Sequence, residues 1–213
     1  AGAPSHSIHL KPLAENALSL PVRTGKARVI GIEPASLVTK SLVREVKTDD
    51  AGCFQSALNP GLTKIAVIER HKRTGKRGIG ILEGYGLTGG AIATTISHDS
   101  HNIVVAGDND PDMLLAVREL ADMGGGIVSV HGGAIRRLPL PIAGLMTSAD
   151  PQEVNAVLHD MLVAARAELG IPEDVEPFMT LSFMALPVIP DLKLTARGLF
   201  NVNTFSFVGV EAD

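Results

Sequence analysis

The chain of 213 residues is short of several things, and each shortage closes off a class of function. Its one cysteine, Cys53, allows no internal disulfide and no site built from several thiolates. Such usage fits a reducing compartment, so the cytoplasm is the expected location. With no Trp, one Tyr and six Phe, few rings are available for stacking on bases or sugars. There is no basic surplus either: 19 Lys and Arg against 23 Asp and Glu give a formal charge of −4, and no nucleic-acid partner is expected. The longest apolar stretch, Phe178 to Pro190, is shorter than the roughly 20 residues of a membrane helix and contains Pro187, so no bilayer span is expected. The opening Ala1-Gly2-Ala3-Pro4-Ser5-His6 lacks a basic n-region, an apolar h-region and an initiating Met, and reads as a cut or processed end.

What is present is ordinary globular material. Hydrophobic residues at 45% and charged residues at 20% supply a core without disorder, in one large domain or two small ones. Residues 1–26, punctuated by Pro4, Pro12, Pro21 and Gly25, read as an extended lead-in that packs on something else, and 27–213 as the folded domain. Strand patterns occupy Ala27 to Ile32, Leu37 to Val46 and Leu62 to Glu69, with turn chemistry at Asp49-Asp50-Ala51-Gly52 and Asn59-Pro60-Gly61. A glycine-rich block from Gly78 to Gly90 leads into β-branched runs at Ala91 to Ile96 and Ile103 to Val105. The period then turns helical from Asp110-Pro111 to Gly124, and again from Asp150-Pro151 to Gly170, where Val154, Val157, Leu158, Met161, Leu162, Ala165 and Leu169 make one stripe. His131-Gly132-Gly133 predicts a hairpin turn, and Leu199 to Val210 one more strand. Strands outnumber helices, which predicts an α+β fold of mixed or antiparallel sheets with a few packed helices.

Several segments are candidates for chemistry. Gly84-Tyr85-Gly86-Leu87-Thr88-Gly89 has the letters of a dinucleotide fingerprint, but the β-branched run after it is a poor helix start, so a structural turn is expected. The run Arg70 to Arg77 holds five Lys and Arg around Thr74-Gly75 and reads as a solvated hairpin tip, with His71 set apart at the end of its strand. Cys53, without an adjacent basic residue, reads as a small buried hydrophobe. The densest polar cluster is Ser97-His98-Asp99-Ser100-His101-Asn102. Two imidazoles three residues apart converge on one metal in a turn and diverge in a strand, so the conformation decides between ligation and structural hydrogen bonding. His71 supplies a third nitrogen if its strand pairs beside this loop.

Taken together, Ile68-Glu69-Arg70-His71, the segment through Gly90-Ala91-Ile92-Ala93, His98 to Ile103, Gly124-Gly125-Gly126-Ile127, Leu138 to Met146 and Pro177 to Phe183 resemble the C-terminal domain of bacterial adenine deaminase. The resemblance runs from about Arg28 onward. It implies the amidohydrolase superfamily, the conversion of adenine and water to hypoxanthine and ammonia, a divalent metal (manganese, iron or zinc), and homo-oligomeric assembly. It also implies a (β/α)₈ barrel carrying the metal centre, and no His-x-His of a first barrel strand occurs here; 213 residues do not hold both that barrel and this region. The expectation is therefore a non-barrel part that closes over a site supplied by a missing barrel domain. Within it Asp99 is the candidate catalytic residue, His98 and His101 are candidate metal ligands, and His71, Ser97 and Ser100 are candidate substrate contacts. A non-catalytic binding or scaffold module, and a self-sufficient metallohydrolase centred on His71, His98, Asp99 and His101, are the alternatives.

Overall fold

The computed structural model describes residues 7–212. An eight-stranded sheet is built from β1 (Lys26–Ile32), β2 (Thr39–Glu45), β3 (Leu62–Ile68), β4 (Arg77–Glu83), β5 (Gly90–Thr94), β6 (Ile103–Gly107), β7 (Gly126–His131) and β8 (Ala134–Pro139). Its spatial order is β2-β1-β4-β3-β6-β5-β7-β8, with β1 and β4 parallel and every other neighbouring pair antiparallel. A second sheet of three short strands, β9 (Leu192–Thr195), β10 (Gly198–Asn201) and β11 (Ser206–Phe207), lies against β4. Helices α1 (Asp110–Asp122), α2 (Pro151–Ala167) and α3 (Pro177–Phe183) complete the α+β fold, and no barrel is formed among the described residues. None of these helices is long and apolar enough to cross a membrane.

The central strands β5 and β6 are buried at every position, which their runs of Ala, Val and Ile permit because both sheet faces are covered. Alternation along β6 sorts the layers. Ile103 and Val105 face α1, packing with Met113, Val117 and Leu120. Val104 and Ala106 face the opposite layer, made by Met161 and Ala165 of α2, Leu181 of α3, and Leu192, Leu194 and Leu199 of the small sheet. Because β6 and β7 both lie antiparallel to β5, they are parallel to one another, and α1 is the crossover that joins them. Ion pairs line both edges: Arg44 pairs with Glu83 beside β2, and on β8 Arg136 pairs with Glu168 and Arg137 with Glu119.

Local chemistry accounts for most boundaries. Asn109 caps α1 by accepting from the Asp112 N–H at 2.8 Å, one residue ahead of the predicted cap; Asp110 instead meets the buried Lys64 Nζ at 2.5 Å. Asp150 caps α2 through the Gln152 N–H, as the sequence predicts, although Val157 of the predicted stripe is exposed. The helix α3, which sequence pattern does not reveal, begins with Pro177 in its first turn and is capped by Glu176, so this proline initiates a helix. The Gly132-Gly133 turn has positive φ at both positions, 54° and 82°, and closes the predicted β7–β8 hairpin. The stretch from Gly84 to Gly89 enters strand β5, not a helix, so the dinucleotide pattern is structural.

Within the lead-in, residues 1–6 lie outside the described residues. The following stretch packs on the same body: Ala17, Leu18, Leu20 and Val22 are buried, and the His9 N–H bonds the Arg70 carbonyl at 2.7 Å. Cys53 is half-buried and sits opposite Pro21 in an isolated bridge.

Two glycines, Gly90 on β5 and Gly80 on β4, separate close approach from ordinary packing. A Cβ on Gly90 would lie 1.9 Å from the Val130 carbonyl oxygen, whereas on Gly80 its nearest neighbour is a Leu194 methyl at 3.5 Å. Gly90→Ala is expected to destabilise the fold by about 3 kcal/mol, and Gly80→Ala by less than about 1 kcal/mol, as read from urea unfolding midpoints.

Candidate functional site

The polar cluster occupies the connection between β5 and β6. Residues 97–101 form a tight turn in which the His101 N–H donates to the Ser97 carbonyl at 2.6 Å, with His101 at φ 48° in the left-handed region. The turn brings the two imidazoles together, with ring centroids 5.7 Å apart and edge-to-face. The His98 ring rests on Phe183 at the end of α3, 4.6 Å between centroids, and the His98 N–H donates to the Ser182 carbonyl. Phe183 is thus a positioning residue that sequence reasoning missed; its only signal is a phenylalanine in an aromatic-poor chain.

The candidates divide by exposure. Asp99 and Ser100 are exposed at the tip, and the Asp99 carboxylate makes no hydrogen bond among the described residues. Ser97 is fully buried, with an Oγ that has no partner, so it lies beneath the loop and does not face outward. His71 is brought beside the loop because β3 pairs with β6, Ile68 opposite Ile103, and His71 follows the end of β3 as Ser100 precedes the start of β6. Its Nε2 is bonded to the Ser100 carbonyl at 2.8 Å. The predicted juxtaposition of His71 with the loop is present, but that nitrogen is engaged by backbone.

The loop is fastened from below by Arg70. Sequence pattern assigns this residue to the solvated hairpin tip, and the structure corrects that: Arg70 is 1% exposed, while His71, Lys72, Arg73, Lys76 and Arg77 remain at the surface. Its guanidinium donates to the His101 carbonyl, to Ser7 Oγ at 3.0 Å and to the Ala143 carbonyl at 3.0 Å. Among the described residues no carboxylate pairs with it, and burial lowers its pKa from the usual arginine value. A would-be Cβ at Gly144 would sit 3.1 Å from this guanidinium, so a glycine is needed where the chain passes over it. The tip beyond is organised by Glu69, whose carboxylate accepts from the N–H groups of His71, Lys72 and Thr74 and from Thr74 Oγ1. Partial burial pushes its pKa up, but those donors outweigh it and hold the group down at about 2.

His101 is shifted the other way from an acid's usual concern. Burial first, then the neighbouring His98 and Arg70, lower its pKa from 6.5. The Ser97 N–H points at its Nδ1 at 3.4 Å, which leaves the proton of the neutral ring on Nε2. The site therefore presents one neutral imidazole as an N–H donor beside a second ring and an unpaired carboxylate. As a metal centre it is incomplete. No group of three His, Cys, Asp or Glu able to hold an ion occurs among the described residues, and two imidazoles fall short of the three protein ligands usual in catalytic zinc sites.

Comparison with known proteins places this geometry in context. Residues 36–206 match the family model described as the adenine deaminase C-terminal domain. The chain belongs to that family. It is 58% identical over 205 residues to an adenine deaminase of Nitratidesulfovibrio vulgaris strain Hildenborough, covering 96% of this chain and 35% of that protein. It is 43% identical over 205 residues to an adenine deaminase of Clostridium acetobutylicum, and 46% over 206 residues to adenine deaminase 2 of Carboxydothermus hydrogenoformans, in each case 96% of this chain and 36% of the relative. The chain thus spans about a third of the length of these curated relatives.

Two outcomes follow from the site's electrostatics. Arg70→Met strips donors from the buried His101 and Ala143 carbonyls, each loss worth about 1–3 kcal/mol, and is expected to lower unfolding free energy by roughly 2–4 kcal/mol. Arg70→Lys recovers little of this in the same denaturation measurement, since one ammonium does not span the fork of acceptors. For His101, a folded pKa below the unfolded value means the native state binds fewer protons than the unfolded chain below about pH 6.5. That stability is fully present above 6.5 and is lost as pH falls through the folded value. An imidazole titration by NMR is expected to show a midpoint below 6.5, and His101→Gln to flatten the stability profile over that window.

Proposed function

We propose that this chain is the C-terminal part of an adenine deaminase, acting with a barrel domain that lies outside it to hydrolyse adenine to hypoxanthine and ammonia. The observation that carries the reading is the 58% identity to a protein of that name over nearly the whole of this chain. In this reading the divalent metal that the resemblance implies, manganese, iron or zinc, is bound mainly by the barrel, and His98 and His101 are the donors this chain could add. The role left to this chain is to present the β5–β6 turn to the purine. In that role the His101 Nε2–H donates to a ring nitrogen, and the exposed Asp99 carboxylate accepts from the exocyclic amine or carries a proton. Ser100 and His71 shape the tip, and the buried Ser97 anchors it.

The test is adenine turnover, followed as ammonia release, by the longer protein that contains this segment. The wild-type protein is expected to turn over adenine, and the isolated segment to be inactive. His101→Ala and Asp99→Asn are expected to lower kcat/KM by about 10²-fold or more, the usual contribution of a positioned proton-transfer group. An inactive full-length protein would remove the deaminase reading, while turnover at the wild-type rate in both variants would remove this corner from the reaction.

A further inference from the structure

A groove of about 700 Å³ opens beside the β5–β6 turn, between the segment after α3 and the three-stranded sheet. Asp99 and Ser100, the segment Leu186 to Val188, and Phe200, Phe205 and Phe207 line it. In a chain with only six phenylalanines, half converge here, and two of them are at the surface. Phe205 is 76% exposed and Val188 66%. Phe205 also adopts φ 50°, a conformation that glycine or asparagine takes at less cost, so what this turn gains from phenylalanine is its ring. The rings are mutually ordered, edge-to-face at 5.3 Å and 5.1 Å about Phe200, and the Arg197 guanidinium lies 4.6 Å over Phe207. Neither Arg197 nor Asp99, both of which line the groove, has an ion-pair partner among the described residues.

An apolar, aromatic centre with an arginine and an unpaired acid at its rim has the composition of a protein interface core and rim. We propose that this groove is the docking surface for the polypeptide that precedes this segment in the longer relatives, seated so that the β5–β6 turn is held against the site that polypeptide carries. The identity of that occupant rests on the deaminase reading. Two observations favour it over a second copy of the chain. About two-thirds of each relative's length lies outside the matched region, and a tethered segment has an effective concentration in the millimolar range that a free copy does not reach. The groove is also continuous with Asp99 and Ser100, so whatever fills it is brought to the candidate site.

Hydrogen–deuterium exchange on the full-length protein tests this without reference to activity. The amides of Leu186 and Val188 and those at 203–208 are expected to be protected, and Phe205→Asp or Val188→Asp to raise their exchange at least tenfold. Val43→Asp, at an exposed position on the β2 edge, leaves them unchanged. Free exchange at 203–208 in the unsubstituted protein overturns the proposal. So does protection that vanishes when sedimentation shows an oligomer dissociating to monomers, which would assign the groove to a second copy. Protection that persists in a protein unable to deaminate adenine upholds the docking surface while removing the deaminase reading.

Discussion

The candidate site depends on one buried cation whose partners among the described residues are all neutral oxygens. Arg70 ties the β5–β6 turn, the loop through Ala143 and the lead-in at Ser7 to the end of β3. A guanidinium suits that task because its planar fork of donors reaches several carbonyls at once, and because it stays charged under desolvation that would neutralise a lysine. The contrast is visible in the same molecule: buried Lys193, bonded to the Leu37 carbonyl, has its pKa brought down by burial to about 8. Removing Arg70 would leave three segments without a common donor, and the turn bearing His98 and His101 would lose its floor.

The sheet supplies the rigidity that makes this fastening useful. With both faces of β5 and β6 covered, the turn between them starts and ends on strands that cannot shift without disturbing two cores. The pairing of β3 with β6 then brings His71 to the Ser100 carbonyl, and the close backbone approach at Gly90 allows β5 to lie flush with β7. The functional corner is thereby a short loop on a stiff scaffold, most exposed at Asp99 and Ser100 and bordered by the aromatic groove.

Much of the scaffold was legible from local chemistry. The caps and prolines of α1 and α2, the glycine pair of the β7–β8 hairpin and the β-branched runs of β5 and β6 specify their own conformations through nearest neighbours. The motifs at Ile68 to His71, His98 to Ile103 and Pro177 to Phe183 were enough to indicate the family. Arg70 was misplaced because a run of basic residues has the same pattern whether one member turns inward or all are solvated. Phe183 escaped notice because its partner, His98, is 85 positions away in sequence.

The sequence by itself determined the class of fold, the hairpin turn at Gly132-Gly133, the approximate spans of α1 and α2, and the residue types gathered between Ser97 and Asn102, because these depend on contacts a few residues apart. Only the tertiary structure decided which of those groups face one another. The pairing of β3 with β6 brings His71 to the loop, the inward turn of Arg70 fixes the loop's base, and the packing of α3 sets a ring under His98. Those outcomes are matters of burial, since a charge or ring leaves water only where distant segments together supply its partners.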